Sequence, residues 1–138
     1  MAQALLDTDA LSEVIKGRDV LVTQRAQKYL QTHKRFTFSI ITRYEILRGL
    51  KAKGALQQTA VFEDRCQESR VLPLTDTVVV QAAEIYAELH RRGRLISDAD
   101  ILIAATALTH DLTLVTENTG HFERITGLRL ESWRSPSG

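Results

Sequence analysis

Apolar positions along the chain change period several times. Short, nearly continuous apolar runs at Ala4 to Leu6, Phe36 to Ser39, Arg70 to Leu74, Leu112 to Val115 and Leu128 to Leu130 predict strands buried on both faces. Between them the spacing turns helical. Leu11, Val14 and Ile15 predict a first helix, residues near 20 to 32 a second, and Ile41 to Lys53 a third, which Gly54 closes in the position a left-handed cap prefers. Ala55 to Glu68 and Thr77 to Arg92 continue the series, and Asp100 to His110 is the most apolar helix and so the most buried. Strands alternating with helices, without hairpin signals, predict an α/β fold: an open parallel sheet of about five strands with helices on both faces.

Composition narrows the class. A chain of 138 residues, 43% apolar with seven Gly and two Pro, is one domain's worth of core-forming sequence. We expect a single domain over residues 1–134 and a short flexible tail, Ser135-Pro136-Ser137-Gly138. The longest apolar stretch, Ile101 to Leu108, is far shorter than the roughly 20 residues a membrane helix needs. Asp7 and Asp9 directly follow Leu5 and Leu6, which does not suit a signal peptide. The single cysteine, Cys66, has neither a disulfide partner nor zinc-site companions. A cytoplasmic protein without membrane contact is the expectation. The net charge of +1 hides a skew, since residues 16–53 carry ten Lys or Arg against Asp19 and Glu45. That segment is +8 and the rest −7. A basic surface of this kind attracts phosphates, although solvated helix faces account for it as well.

The acids carry the candidate chemistry. Asp7 ends the first strand, and Thr116-Glu117-Asn118 follow the fourth; ligands of open parallel sheets bind beyond such strand ends. Glu45 and Asp100 lie in the first turns of two helices, so Asp7, Glu45, Asp100 and Asn118 can meet at one edge, with no fixed cation among them. Carboxylates without His or Cys form a hard oxygen site suited to Mg²⁺ or Mn²⁺. A bound ion of this type activates water against a phosphodiester. Capping explains part of the pattern equally well. Thr42-Arg43-Tyr44-Glu45 and Ser97-Asp98-Ala99-Asp100 both match a capping box, and Asp7 or Asp9 can cap the helix that follows them.

Taken in order, Leu5-Leu6-Asp7-Thr8-Asp9, Ile41-Thr42-Arg43-Tyr44-Glu45-Ile46, Asp98-Ala99-Asp100-Ile101-Leu102-Ile103-Ala104-Ala105 and Val115-Thr116-Glu117-Asn118, with an ending from Phe122 through Gly127-Leu128 to Trp133, resemble the PIN-domain ribonucleases, specifically the VapC-type toxins of toxin–antitoxin pairs. The resemblance covers nearly the whole chain. It implies a doubly wound parallel sheet, dependence on Mg²⁺ or Mn²⁺, and endonucleolytic cleavage of structured RNA of the translation machinery. It also implies a homodimer neutralised by a small VapB-type antitoxin, which contacts operator DNA itself. Asp7, Glu45 and Asp100 match the family's acidic metal ligands, and Asn118 and Thr116 its polar strand-end positions. Three positions depart from the family's pattern. Asp9 stands where Asn is common, Asp98 adds an acid, and His121 replaces a frequent Asp before Phe122. A fourth acidic ligand is therefore missing, which implies one tightly held ion and a second completed by substrate. Glu117 stands close enough to compensate, or faces solvent.

Other residues offer less. The four histidines show no ligand spacing; His121 either touches phosphate near the site or lies on the surface, and His110 complements a helix dipole. Cys66 reads as an ordinary helix residue. Arg91-Arg92-Gly93-Arg94 either meets RNA backbone or is a solvated helix end. Two rival functions remain: a haloacid-dehalogenase-type phosphatase built on Asp7-Thr8-Asp9, although its later motifs are not evident, and a catalytically silent PIN-like module that binds RNA or protein.

Overall fold

The strands form where the apolar runs lie, each trimmed by its neighbours. In the computed structural model, which describes residues 1–134, the order is β1 (Ala4–Leu6), α1 (Thr8–Lys16), α2 (Val20–His33), β2 (Thr37–Ser39), α3 (Ile40–Ala52), α4 (Leu56–Glu68), β3 (Arg70–Leu72), α5 (Asp76–Arg91), α6 (Asp98–Thr109), β4 (Thr113–Val115), α7 (Thr119–Phe122) and β5 (Leu130–Glu131). The expected tail at 135–138 lies outside the described residues. β3 stops two residues short of the predicted run because Pro73 has no N–H for the ladder. β5 begins at Leu130 rather than Leu128. The backbone turns at Gly127 (φ 83°), and only then do Leu130 and Glu131 come into register with Leu114 and Val115.

All five strands are parallel, in the order β3-β2-β1-β4-β5. Alternate side chains feed two cores. Leu5, Leu72 and Leu114 pack with α5 and α6 residues such as Val78, Leu89, Ile101 and Ala104 on one face. Ala4, Leu6, Phe38 and Val115 pack with Leu11, Val22, Tyr29, Phe62 and Trp133 on the other. Burial on both faces is why these strands read as unbroken apolar runs rather than alternating ones. Trp133 lies 5.7 Å from the Tyr29 ring, whose hydroxyl accepts from the Ala4 amide (3.1 Å) and donates back to its carbonyl (3.3 Å), fixing the start of β1.

Among the described residues α1, α2, α3, α5 and α6 start at a side-chain cap, and α3 starts at a different one from that expected. α6 begins two residues ahead of the expected Asp100, where the Ser97 capping box places it, with Ser97 Oγ accepting from the Asp100 amide at 3.2 Å. α3 begins earlier than the Thr42 capping box suggests. Ser39, the last residue of β2, is its cap and accepts from the Ile41 amide at 3.0 Å. Thr42 is thereby buried and Glu45 moves into the second turn, where it makes no cap.

Candidate active site

Strand order reverses between β1 and β4, the place where parallel α/β sheets open a crevice. Asp7 and Thr116 are the first residues beyond these two strands. The Asp7 amide still donates to Val115 O (3.0 Å), while its Oδ1 accepts from the Ala10 amide (2.8 Å) as the N-cap of α1. Capping engages one carboxylate oxygen, so it does not compete with a role for the other. Only 4% of Asp7 is exposed. Burial pushes its carboxyl up to about 7; the Thr116 hydroxyl and the Ala10 amide pull it down, and Asp9 and Asp100 push it further up. Its charged neighbours are acids.

Asp100, half-buried at the third position of α6, is also raised. Burial is the main cause and Glu45 and Asp9 add to it, against the lowering effect of Ser97 and His121. Glu45 reaches the same edge from α3. Its Oε1 accepts from the Thr8 hydroxyl at 2.6 Å, Thr8 shares a second hydrogen bond with Thr42 (3.1 Å), and Oε2 lies 3.7 Å from Arg48. Arg48 corrects the expectation of an acid cluster without a fixed cation. The sequence does not mark Thr8 or Arg48 as supports of the site. The i,i+3 spacing of Glu45 and Arg48 was a usable signal; the Thr8 contact arises only when α1 packs on α3.

Thr116 is fully buried and accepts from the Asn118 amide at 2.9 Å, which leaves its hydroxyl proton available to Asp7. The Asn118 side chain meets His121 Nδ1 at 2.7 Å, and that nitrogen is 3.9 Å from Asp100 Oδ2. His121 thus joins the cluster. Asp9 adjoins it, its charge raising both Asp7 and Asp100, whereas Glu117 is engaged elsewhere. Glu117 turns to the segment after β5, accepting from Ser132 Oγ (2.8 Å) and the Arg134 amide (3.2 Å), because β5 brings those donors beside it. Asp98 and Asp9 are exposed in the first turns of their helices, where both complement the helix dipole. Arg92 is occupied structurally, donating to Arg124 O (2.9 Å) while Arg124 donates to Arg94 O (3.3 Å). Burial pushes the Cys66 thiol up, against the pull of Arg43, away from the thiolate a nucleophile requires.

The donor set is hard. Among the described residues no three His, Cys, Asp or Glu side chains close into a ready-made cage. The arrangement is two raised acids and a tethered glutamate at the edge of an open crevice, which fits a cation that keeps several waters better than one needing four protein ligands.

The model of the PIN-domain family matches residues 4–128. The chain belongs to the PIN-domain family. Among curated PIN relatives, the ribonuclease VapC2 of Haemophilus influenzae is 34% identical over 134 residues, covering 96% of this chain and 99% of that protein. The tRNA(fMet)-specific endonuclease VapC of Shigella flexneri is 31% identical with the same coverage. A solved structure of DNA-bound VapBC from Salmonella typhimurium superimposes with a TM-score of 0.85, at 30% identity and 96% and 99% coverage. Family membership removes the phosphatase alternative. No helix of the described residues is long and apolar enough to cross a membrane.

Proposed function

We propose that this chain is a PIN-family endoribonuclease of the VapC type, the toxin of a toxin–antitoxin pair, cleaving structured RNA of the translation machinery with Mg²⁺ or Mn²⁺. One observation carries the reading: acids from three distant segments, Asp7, Glu45 and Asp100, reach one crevice in a chain about a third identical, end to end, to VapC ribonucleases. Asp7 and Asp100 would hold the ion with Glu45, and Thr116 and Asn118 would orient them. Bound there, the ion would activate water and offset charge on the phosphodiester. The chain's own groups supply the rest. Ala10 and Thr116 hold the Asp7 carboxyl in place, Thr8 and Arg48 hold Glu45, and Ser97 sets the start of α6 so that Asp100 faces the crevice. The endonuclease relatives supply the substrate class, and the VapBC complexes a VapB-type antitoxin as partner, with operator DNA reached through it. A homodimer working in the cytoplasm completes the proposal.

Incubating the purified protein with labelled RNA and with a phosphomonoester, in Mg²⁺, Mn²⁺ or EDTA, tests it. Internal RNA cuts in metal only, blocked by the antitoxin from a neighbouring reading frame, are expected. Cleavage undiminished in EDTA, or phosphomonoester hydrolysis, would overturn it.

RNA affinity should also fall steeply with salt, because a +8 segment releases counterions in proportion to the phosphates it neutralises. Lys51 and Lys53 lie exposed at the end of α3. Reversing both charges should flatten the plot of log affinity against log salt; an unchanged slope moves the RNA surface away from α3.

A further inference from the structure

One exposed side chain of α3 lies outside the acid cluster and yet is tied to it. Tyr44 is 58% exposed, a large ring held in water one residue before Glu45. The Arg48 guanidinium carbon sits 5.1 Å from the centroid of that ring, and its Nη2 lies 3.7 Å from Glu45 Oε2. Arg48 therefore spans from the aromatic ring to the carboxylate. The distance between the two is no more than one guanidinium group and its contacts, the scale on which one nucleotide follows another.

A Tyr ring loses little conformational freedom on contact, having two side-chain torsions, and offers an apolar face with a polar tip. A guanidinium group above it is a second flat surface that stacks on aromatic planes. Pairs of this kind hold unpaired bases in single-stranded nucleic acids, whose affinity combines stacking on aromatic side chains with a basic track for the backbone. Basic groups for the backbone lie on the same helix: Lys51 stands three residues after Arg48, and Lys53 follows at the helix end, both exposed. Glu45 fixes the pair in relation to the crevice, since its other oxygen is held by Thr8 at 2.6 Å.

We propose that Tyr44 and Arg48 form a stacking platform for an unpaired nucleobase of the RNA, next to the phosphodiester held at the acid crevice. The inference rests on the ribonuclease reading above and adds to it a substrate requirement, an unstacked base beside the cut. It also assigns Tyr44 a contact with RNA that no acid in the crevice supplies. A base-paired position presents no free face, so the platform selects loops over stems.

The test uses the whole protein in EDTA, so that nothing is cut, and an RNA hairpin carrying 2-aminopurine in its loop. Wild type should quench the probe. Tyr44→Ala should lose the quenching and bind about tenfold more weakly, within the range of one stacked base. Tyr44→Phe and Tyr44→Trp should keep both properties. An abasic site in place of the probe should cost wild type the same tenfold and cost Tyr44→Ala nothing more. Three results overturn the platform: equal binding of wild type and Tyr44→Ala, an equal Tyr44→Ala penalty on the abasic hairpin, or a change of oligomeric state on sedimentation with RNA binding intact, which would make this face a protein contact. A wild type that cuts RNA but never quenches the probe removes the platform alone. A wild type that neither binds nor cuts RNA removes the ribonuclease reading and the platform together.

Discussion

Replacing Asp7 by Asn should abolish RNA cleavage and, in EDTA, raise the melting temperature. The first effect follows from losing one anionic ligand of a site whose chemistry is electrostatic, worth several kcal/mol and so about a thousandfold in rate. The second follows from burial. Asp7 is 4% exposed among acidic neighbours, and a neutral amide of the same shape removes the cost of an ion there. Asn retains the cap, because its carbonyl oxygen can accept from the Ala10 amide as Asp7 Oδ1 does. Adding Mg²⁺ or Mn²⁺ should narrow or reverse the gap in melting temperature, since metal at a hundredfold excess over its dissociation constant adds about 2.7 kcal/mol to the protein that binds it. Gel assays and circular dichroism melts of both proteins check this. Undiminished cleavage by Asp7→Asn, or identical melting in all four conditions, would reject the assignment of Asp7.

The same carboxyl should give the metal-free protein an unusual pH profile. Its folded-state value is raised from 3.8 to about 7, so between those values the folded chain holds a proton that the unfolded chain has lost. Stability should therefore fall as pH rises from about 4 to about 7 and level off above that, by up to about 4 kcal/mol from this residue. Asp100, raised for the same main reason, adds to the slope with the same sign. Asp7→Asn should lack most of this dependence. Urea denaturation at pH 4.5 and 7.5 in EDTA measures it, and a wild-type protein that gains stability over that interval relative to Asp7→Asn would contradict the burial account.

Much of this architecture is legible in the sequence because the sheet is buried on both sides. Leu5 and Leu6, or Leu114 and Val115, face opposite cores, and an unbroken apolar run is what that requires. The edge strand is less legible: β5 is two half-buried residues, and its register depends on a turn at Gly127 rather than on its own pattern. At the site, Asp7 and Asp100 announce themselves by following a strand and opening a helix, whereas Glu45 lies in a second turn. Their supports do not announce themselves. Thr42 reads as a cap until Ser39, lying at the end of β2, is seen to hold that role. Thr8 and Thr42 are placed by the packing of α1 on α3, and Glu117 is turned away by donors that follow β5, neither of which local spacing encodes. His121, by contrast, stands out as a departure from the family pattern, and it does lie beside Asp100.

The strand order also sets when the crevice can exist. β1 occupies the centre of the sheet, yet one of its two neighbours, β4, is made more than a hundred residues after it. Until β4 seats beside β1, Asp7 has lost the Val115 carbonyl that anchors its amide and the Thr116 hydroxyl next to its carboxyl, and Asp100 has only just been added. β1, β2 and β3 with α1 to α4 carry Asp7 and Glu45 but neither Asp100 nor Thr116, so they make no crevice by themselves. The crevice therefore depends on the last third of the chain: neither the first strand nor the helices that follow it can form it without β4.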